Sequence, residues 1–436
     1  MVILICLIII LIIFVIGSKL KLHPFLLLFI SSLLIGAITN QNILKTTEAI
    51  TSGFSSTIKN IGYVIAFGTL IGTILEESKA TYKIATSLSK LIGLKKADTI
   101  MNLTGFIVSI PVFCDSGYII LSPLNKELHI LTKIPLTILS ISLATGLYAS
   151  HVFIPPTPGP LALSSILNID IGLLIIFGTI IGLPTSILGL LWAKFIGGKI
   201  NLNLNDEINI KSFKTPPLYI SILPIFIPVI LLSLKNVSEI FFKEQTSTLI
   251  YKILSLFGNP IIALFIGFMF CLPLIRYINL DLNKIMTDSI KNAGVIILIT
   301  GAGGSLGYVL KDINIENLSN STFTKHNFGF LAPFLLSAIL KTAQGSSTVS
   351  MITSASIFLP TMDKLGYITP TDKLFTALAI SAGSMMISHM NDSYFWIISQ
   401  FSNLKPEQTI KTFTIASIIQ SIFAIFLIHA IYFIFN

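Results

Sequence analysis

The sequence predicts an all-α polytopic membrane protein of about 11–12 transmembrane helices, built from inverted repeats with two re-entrant hairpins. Three observations carry this prediction. Of 436 residues, 53% are hydrophobic and only 11% charged, whereas soluble proteins carry about 25% charged residues. Apolar runs long enough to cross a bilayer core, which takes about 20 helical residues, recur from one end to the other. Segments in the two halves also resemble one another at a nearly constant offset. The runs do not alternate between polar and apolar residues, which excludes a closed β-barrel.

The spans follow in order. Residues 2–17 lack a basic leader, and Lys19 and Lys21 follow the apolar run, so an uncleaved first span with its N-terminus outside is expected. Runs at 24–39 and 58–75 come next, the second carrying Gly68-x-x-x-Gly72, a spacing that lets helices approach closely. From 99 to 125 there are 27 residues with one charge, and from 328 to 362 there are 35 with one charge. Each is too long for one helix and too short for two crossings with a loop. A helix followed by a re-entrant hairpin is therefore expected in both, with irregular backbone satisfied by protein or by a water-filled cavity. Full spans are expected at 135–152, 171–193, 217–234, 259–278, 290–310 and 412–435, with a longer, interrupted run at 374–404. The run at 290–310 carries Gly303-x-x-x-Gly307.

The net charge of +9 comes from 28 basic and 19 acidic residues scattered between the apolar runs, with Arg276 the single arginine. No basic patch or tail suggests a nucleic-acid partner. Cys6, Cys114 and Cys271 lie inside apolar segments and are expected to be packing residues, not a disulfide framework or metal cluster. No cofactor is expected.

Residues 57–76, TIKNIGYVIAFGTLIGTILE, match residues 289–308, SIKNAGVIILITGAGGSLGY, at an offset of 232. Leu143 to His151 matches Ser381 to His389 at an offset of 238. These matches define a first repeat over 57–198 and a second over 289–404, with a cytoplasmic loop at 199–216. Lysine bias places Lys19, Lys83, Lys95, Lys199, Lys211 and Lys284 on the cytoplasmic side. The span at 58 then runs inward and its repeat at 290 outward, so the halves are inverted. Inverted halves with broken helices meeting at the midplane are the architecture of secondary transporters. One membrane transport domain over 1–436 is the resulting expectation.

An ionisable group at the bilayer centre costs about 3 kcal/mol on insertion scales, so those that remain mark functional positions. Four polar interruptions stand out, two per half. The first surrounds Asp115 and Ser116, between Pro111 and Gly117. That carboxylate can carry a proton, ligate a cation or cap a half-helix. The second runs from His151 through the prolines at 155, 156, 158 and 160, which cannot continue a helix. The third, Lys341 to Thr348, places Gly345, Ser346, Ser347 and Thr348 where a half-helix beginning near Ser346 would offer free N–H groups to an anion, with Lys341 adding positive charge. The alternative for these small residues is close helix packing. The fourth contains His389, Asn391 and Asp392. His151 and His389 hold equivalent repeat positions, where each can move a proton, bond substrate hydroxyls or join helices.

At these residues the sequence resembles the gluconate:proton symporter family of bacterial inner-membrane permeases, within the ion transporter superfamily. The resemblance rests on PVFCDSG at 111–117, His151 with PPTPGP at 155–160, AQGSSTVSMITSA at 343–355 and SHMNDSYFW at 388–396. It implies proton-coupled uptake of gluconate or a related small carboxylate across the inner membrane, and a homodimer as in many superfamily members. The same family includes permeases for D-serine and other sugar acids. The chain departs from the family pattern at Lys341, where an arginine is common, at Thr157, where a histidine is common, and at Lys79-Ala80, where two small residues are common.

On this reading Ser116, Lys341, Gly345, Ser346, Ser347, Thr348, Asn391 and Asp392 bind substrate, and Asp115, His151 and His389 carry protons. Protons are favoured over sodium as the coupling ion. An intramembrane hydrolase would show a catalytic serine or paired-aspartate arrangement or HExxH, none of which is present. No P-loop supports an ATP-driven pump. A passive channel would also use helix ends, and differs in never exceeding the solute's own equilibrium.

Overall fold

In the computed structural model the described residues are 22–39, 41–200, 215–241, 249–278, 281–311, 328–390 and 392–435, with isolated positions before them. The expected first span at 2–17 and most of the loop at 199–216 lie outside them. All regular structure among the described residues is helical. The first half holds α1 (Pro24–Ile38), α2 (Ile43–Glu77), α3 (Ala80–Ile92), α4 (Ala97–Val108), α5 (Cys114–Thr132), α6 (Leu136–Phe153), α7 (Pro158–Ile166) and α8 (Ile171–Gly197). Then come α9 (Leu218–Phe241), α10 (Leu249–Phe257), α11 (Pro260–Met269), α12 (Leu282–Lys311), α13 (Leu331–Gln344) and α14 (Ser347–Phe358). The chain closes with α15 (Pro370–Ser384), α16 (Ser393–Phe401) and α17 (Ile415–Phe435), the last entered through one π turn at Ile410–Thr414.

Local sequence explains where these helices begin. Asn42, Asp170 and Asn259 each accept a hydrogen bond from a backbone N–H of the first turn they precede, satisfying donors that the helix itself leaves free. Thr369 and Asp372 form a reciprocal capping box at α15, with Pro370 in the first helical position.

Five described segments are long and apolar enough to cross a bilayer: Leu136–Ile166, Ile171–Gly197, Pro260–Tyr277, Leu282–Leu310 and Pro406–Phe435. α2, bent by 48° between Lys59 and Gly62, makes a sixth. Pro24–Ile38, Ala97–Val108, Leu218–Leu232 and Leu331–Ala343 are shorter apolar helices.

Both over-long runs break in two and reverse. Ser350 Oγ donates to Ser337 O over 2.7 Å, although a continuous helix would hold those residues about 20 Å apart. The reversal falls at Gly345, whose φ of +81° is a left-handed cap that glycine adopts without a Cβ clash. In the other run Val108 and Val112 both lie 3.8 Å from where a Cβ on Gly117 would sit, so α5 folds back over the end of α4.

Apart from α3, which follows the long helix of the first half, the described helices of each half run in one order: a long helix, a broken pair, a buried helix, a short helix and a closing helix. The halves exchange partners. α7 packs on α14, and α16 packs on α5, while α2 lies along α12 and α8 against α17. The α2–α12 crossing is backbone to backbone, since a Cβ on Gly304 would stand 2.6 Å from Gly53 O. The glycine pairs noted in the sequence serve such approaches. Gly68 and Gly72 face the carbonyls of Pro156 and Pro111, at the two breaks of the first half, and Gly303 and Gly307 face Ile352 and Ser356 of α14.

Candidate functional site

The two hairpin tips meet in a cavity of about 340 Å³. The first hairpin supplies Phe113, Cys114 and Asp115, and the second supplies Gly345, Ser346, Ser347 and Thr348. Tyr148 and His151 project from α6, and Asp392, Ser393 and Tyr394 come from the start of α16. Three helices, α5, α14 and α16, therefore begin at its wall.

Each N-terminus carries unpaired N–H groups and the positive end of a helix dipole, a setting that favours an anion. Ser346 accepts from Val349 N at 3.3 Å, and Asp392 Oδ1 accepts from Tyr394 N at 3.0 Å. Phe113 precedes α5 with no side-chain cap. The walls are tied together by side chains. Ser393 Oγ donates to Asp115 Oδ2 over 2.9 Å, joining α16 to α5. Tyr148 OH and Ser347 Oγ lie 2.9 Å apart, and Tyr148 OH donates to Ser384 O at 3.3 Å, so Ser347 is the donor to the phenol. Tyr148 and Tyr394 form an aromatic side of the cavity with ring centroids 5.6 Å apart, and Phe413 packs behind both.

His151 is buried, and its Nδ1 has no hydrogen-bond partner among the described residues. An unpaired ring nitrogen in a buried wall costs stability unless a ligand or water meets it.

Seven of the residues expected from sequence line the cavity: Asp115, His151, Gly345, Ser346, Ser347, Thr348 and Asp392. Three stand elsewhere. Ser116, next to Asp115 on the helix, turns toward Glu76 at the end of α2. His389 Nε2 donates to Thr342 O over 3.1 Å, outside the cavity wall. Lys341 does not present a free charge to the cavity, because it is spent in an ion pair with Asp392 at 2.6 Å. Asn391 lies outside the described residues.

Sequence reasoning missed Phe113, Cys114, Tyr148, Ser393 and Tyr394 as cavity residues. Four of them flank the aspartates that it named, and Tyr148 lies in the repeated segment ending at His151. What concealed Phe113, Cys114, Tyr148 and Tyr394 is that apolar and aromatic side chains in an apolar span read as packing, while Ser393 reads as an ordinary helix-start residue after Asp392. Cys114 and Cys271 are free and buried. Among the described residues no group of three or more His, Cys, Asp or Glu side chains is placed to hold a metal.

Comparison with known proteins agrees with this architecture. Residues 1–434 match the model of the GntP family permease. A gluconate permease of Zymomonas mobilis is 31% identical over 424 residues, covering 94% of this chain and 93% of the relative. A D-serine transporter of Escherichia coli O6:H1 is 31% identical over 418 residues, covering 93% of each. The crystal structure of the Alcanivorax borkumensis YdaH transporter superposes with a TM-score of 0.66 at 15% identity, covering 94% of this chain and 97% of that one, and so shares the fold. With its apolar helices, broken spans and family match over nearly the whole length, the chain belongs to the GntP permease family of multi-pass membrane proteins.

Proposed function

We propose that the protein is a secondary active transporter that takes up gluconate or a related small carboxylate across the bacterial inner membrane together with a proton. The observation that carries the reading is the meeting of three helix N-termini at one cavity that also holds an ionisable carboxylate, Asp115. The free N–H groups of α5 and α14 suit a substrate carboxylate. Hydroxyl groups of a sugar acid would find Ser347, Thr348, Ser393 and the unpaired Nδ1 of His151. Asp115 is the group proposed to alternate between protonated and ionised states. The relative named as a gluconate permease supports the substrate class.

A second reading, uptake of D-serine, is favoured by the equally similar relative of that name and by Asp115, which would pair with the substrate ammonium. In both readings residues 57–198 and 289–404 act as inverted repeats whose relative movement exposes the cavity to each side in turn.

Uptake into proteoliposomes with imposed pH or sodium gradients tests the proposal. Accumulation of gluconate driven by a pH gradient, and competed by sugar acids more strongly than by D-serine, is the expected result. Uptake driven by sodium alone would overturn the proton coupling. Competition dominated by D-serine would move the substrate to the second reading.

A further inference from the structure

Lys341 is the only lysine among the buried residues described. It stands in the last turn of α13, at the negative end of that helix. Its Nζ donates to Gly345 O at 2.5 Å and to Asp392 Oδ2 at 2.6 Å. The same Asp392 oxygen accepts from the Ser388 hydroxyl. The ring of Tyr148 closes a further side, its centroid 5.8 Å from Nζ.

An ammonium has three protons to place. Two are used on oxygens and the remaining side meets an aromatic face, so nothing is left for a substrate carboxylate. The two oxygens that hold Nζ, a carbonyl just past an interrupted helix C-terminus and a carboxylate at a second chain break, suit a monovalent cation as well as an ammonium, since carbonyls at half-helix ends coordinate such ions in broken-helix transporters. Gly345 is also held on both sides by one residue, because its N–H donates to Lys341 O over 2.8 Å. Ser346, Ser347 and Thr348, which follow directly, take their positions in the cavity wall from that grip.

We propose that the Lys341 ammonium is a tethered cation, filling permanently a position built like an alkali-cation site, so that the tip of the second hairpin is held in shape without bound sodium. Lys341 is then a positioning residue for the anion-binding tip. The proposal deepens the transport reading and rests on it for its consequence in uptake, whereas occupancy of the position does not depend on what is carried.

The test compares melting of the purified full-length protein in sodium, potassium, ethylammonium and choline chlorides at equal ionic strength. The unmodified protein should melt alike in all four. Lys341→Ala should melt lower in choline and be raised saturably, by about 2–4 °C or more, by sodium, potassium or ethylammonium, since a cation that binds only the folded state stabilises it. The double variant Lys341→Ala/Asp392→Asn, which removes the carboxylate, should lose that response. In proteoliposomes the single variant should lose uptake and recover it with the same cation. No response of Lys341→Ala to any of the three cations, or an equal response in the double variant, would overturn the proposal. Where Lys341→Ala cannot be isolated, the unmodified protein decides: melting indifferent to sodium supports the tethered cation, and a saturable sodium stabilisation abolished by Asp392→Asn overturns it. Failure of the transport reading is distinguishable, because it leaves the melting results intact while gluconate uptake by the unmodified protein is absent.

Discussion

Ser393 donates a 2.9 Å hydrogen bond to Asp115, and by that contact the first turn of α16 is fastened to the first turn of α5, 278 residues earlier in the chain. The bond joins the two halves across the cavity through the group proposed to carry the proton. The hydroxyl is the donor and a carboxylate oxygen the acceptor, a type of bond that is stronger when the acceptor carries charge. A charge change at Asp115 is thereby linked to the contact between the halves.

Asp115→Asn keeps the shape and removes the charge change. The variant is expected to bind substrate and equilibrate it across the membrane while failing to accumulate it against a gradient. Proteoliposome uptake under an imposed pH gradient measures this. Full retained accumulation would remove Asp115 from the coupling role.

Tyr148 and Ser347 form a single buried unit, so their truncations should not add. Tyr148→Phe and Ser347→Ala are each expected to cost about 0.5–1.5 kcal/mol of apparent substrate affinity, the usual net value of one hydrogen bond. The double variant should fall short of the sum by about 0.5 kcal/mol or more. A double-mutant cycle on the KM for uptake reads the coupling, and strict additivity would show that the pair does not act together at the site.

Gly146 is where α6 touches α4, and a Cβ there would lie 2.1 Å from the carbonyl oxygen of Asn102. The Asn102 amide meanwhile donates to Ser142 O at 3.0 Å and to Ser186 O at 3.2 Å, tying α4 to both α6 and α8. Gly146→Ala is expected to cost about 1–3 kcal/mol, as overpacking of a close-packed interior does. Gly294→Ala in α12, where the added methyl meets none of the described residues within 4 Å, should be neutral or slightly stabilising. Melting in detergent separates the two, and equal Tm values would refute the close approach.

Two ion pairs offer a contrast in burial. The side chains of Lys341 and Asp392 are 1% and 7% exposed, whereas those of Lys194 and Asp98 are 45% and 12% exposed. Asp392→Asn leaves a buried ammonium short of its counter-charge and is expected to cost about 3–5 kcal/mol. Asp98→Asn leaves a lysine that reaches solvent, and about 0–1 kcal/mol is expected. Tm measurements on the two variants check the order, and a larger loss for Asp98→Asn would contradict it.

The membrane class, the helical content, the two breaks in over-long apolar runs and most of the polar cavity wall were readable from one dimension of information. Apolar composition reports the solvent that a chain prefers, and a proline, a glycine or a charge inside an apolar run costs too much to stand there without purpose. Asp115, Gly345 and Asp392 were visible for that reason. Tyr148 and Tyr394 were not, because an aromatic ring in an apolar span has the same sequence signature whether it packs or lines a cavity.

The roles of neighbours were beyond the sequence as well. Asp115 and Ser116 are adjacent in the chain, yet successive helical side chains point about 100° apart, so one enters the cavity and the other meets Glu76. Lys341 stands four residues before Gly345 and 51 before Asp392; only the reversal at 345–346 and the exchange of partners between halves bring all three together. The sequence by itself determined the solvent, the helices and the places where they break. Which broken end faces which, and therefore whether a buried charge waits for a ligand or is already paired, was decided by tertiary structure, because charge pairing acts over a few ångströms and contacts at that range between distant segments exist only once the helices are packed.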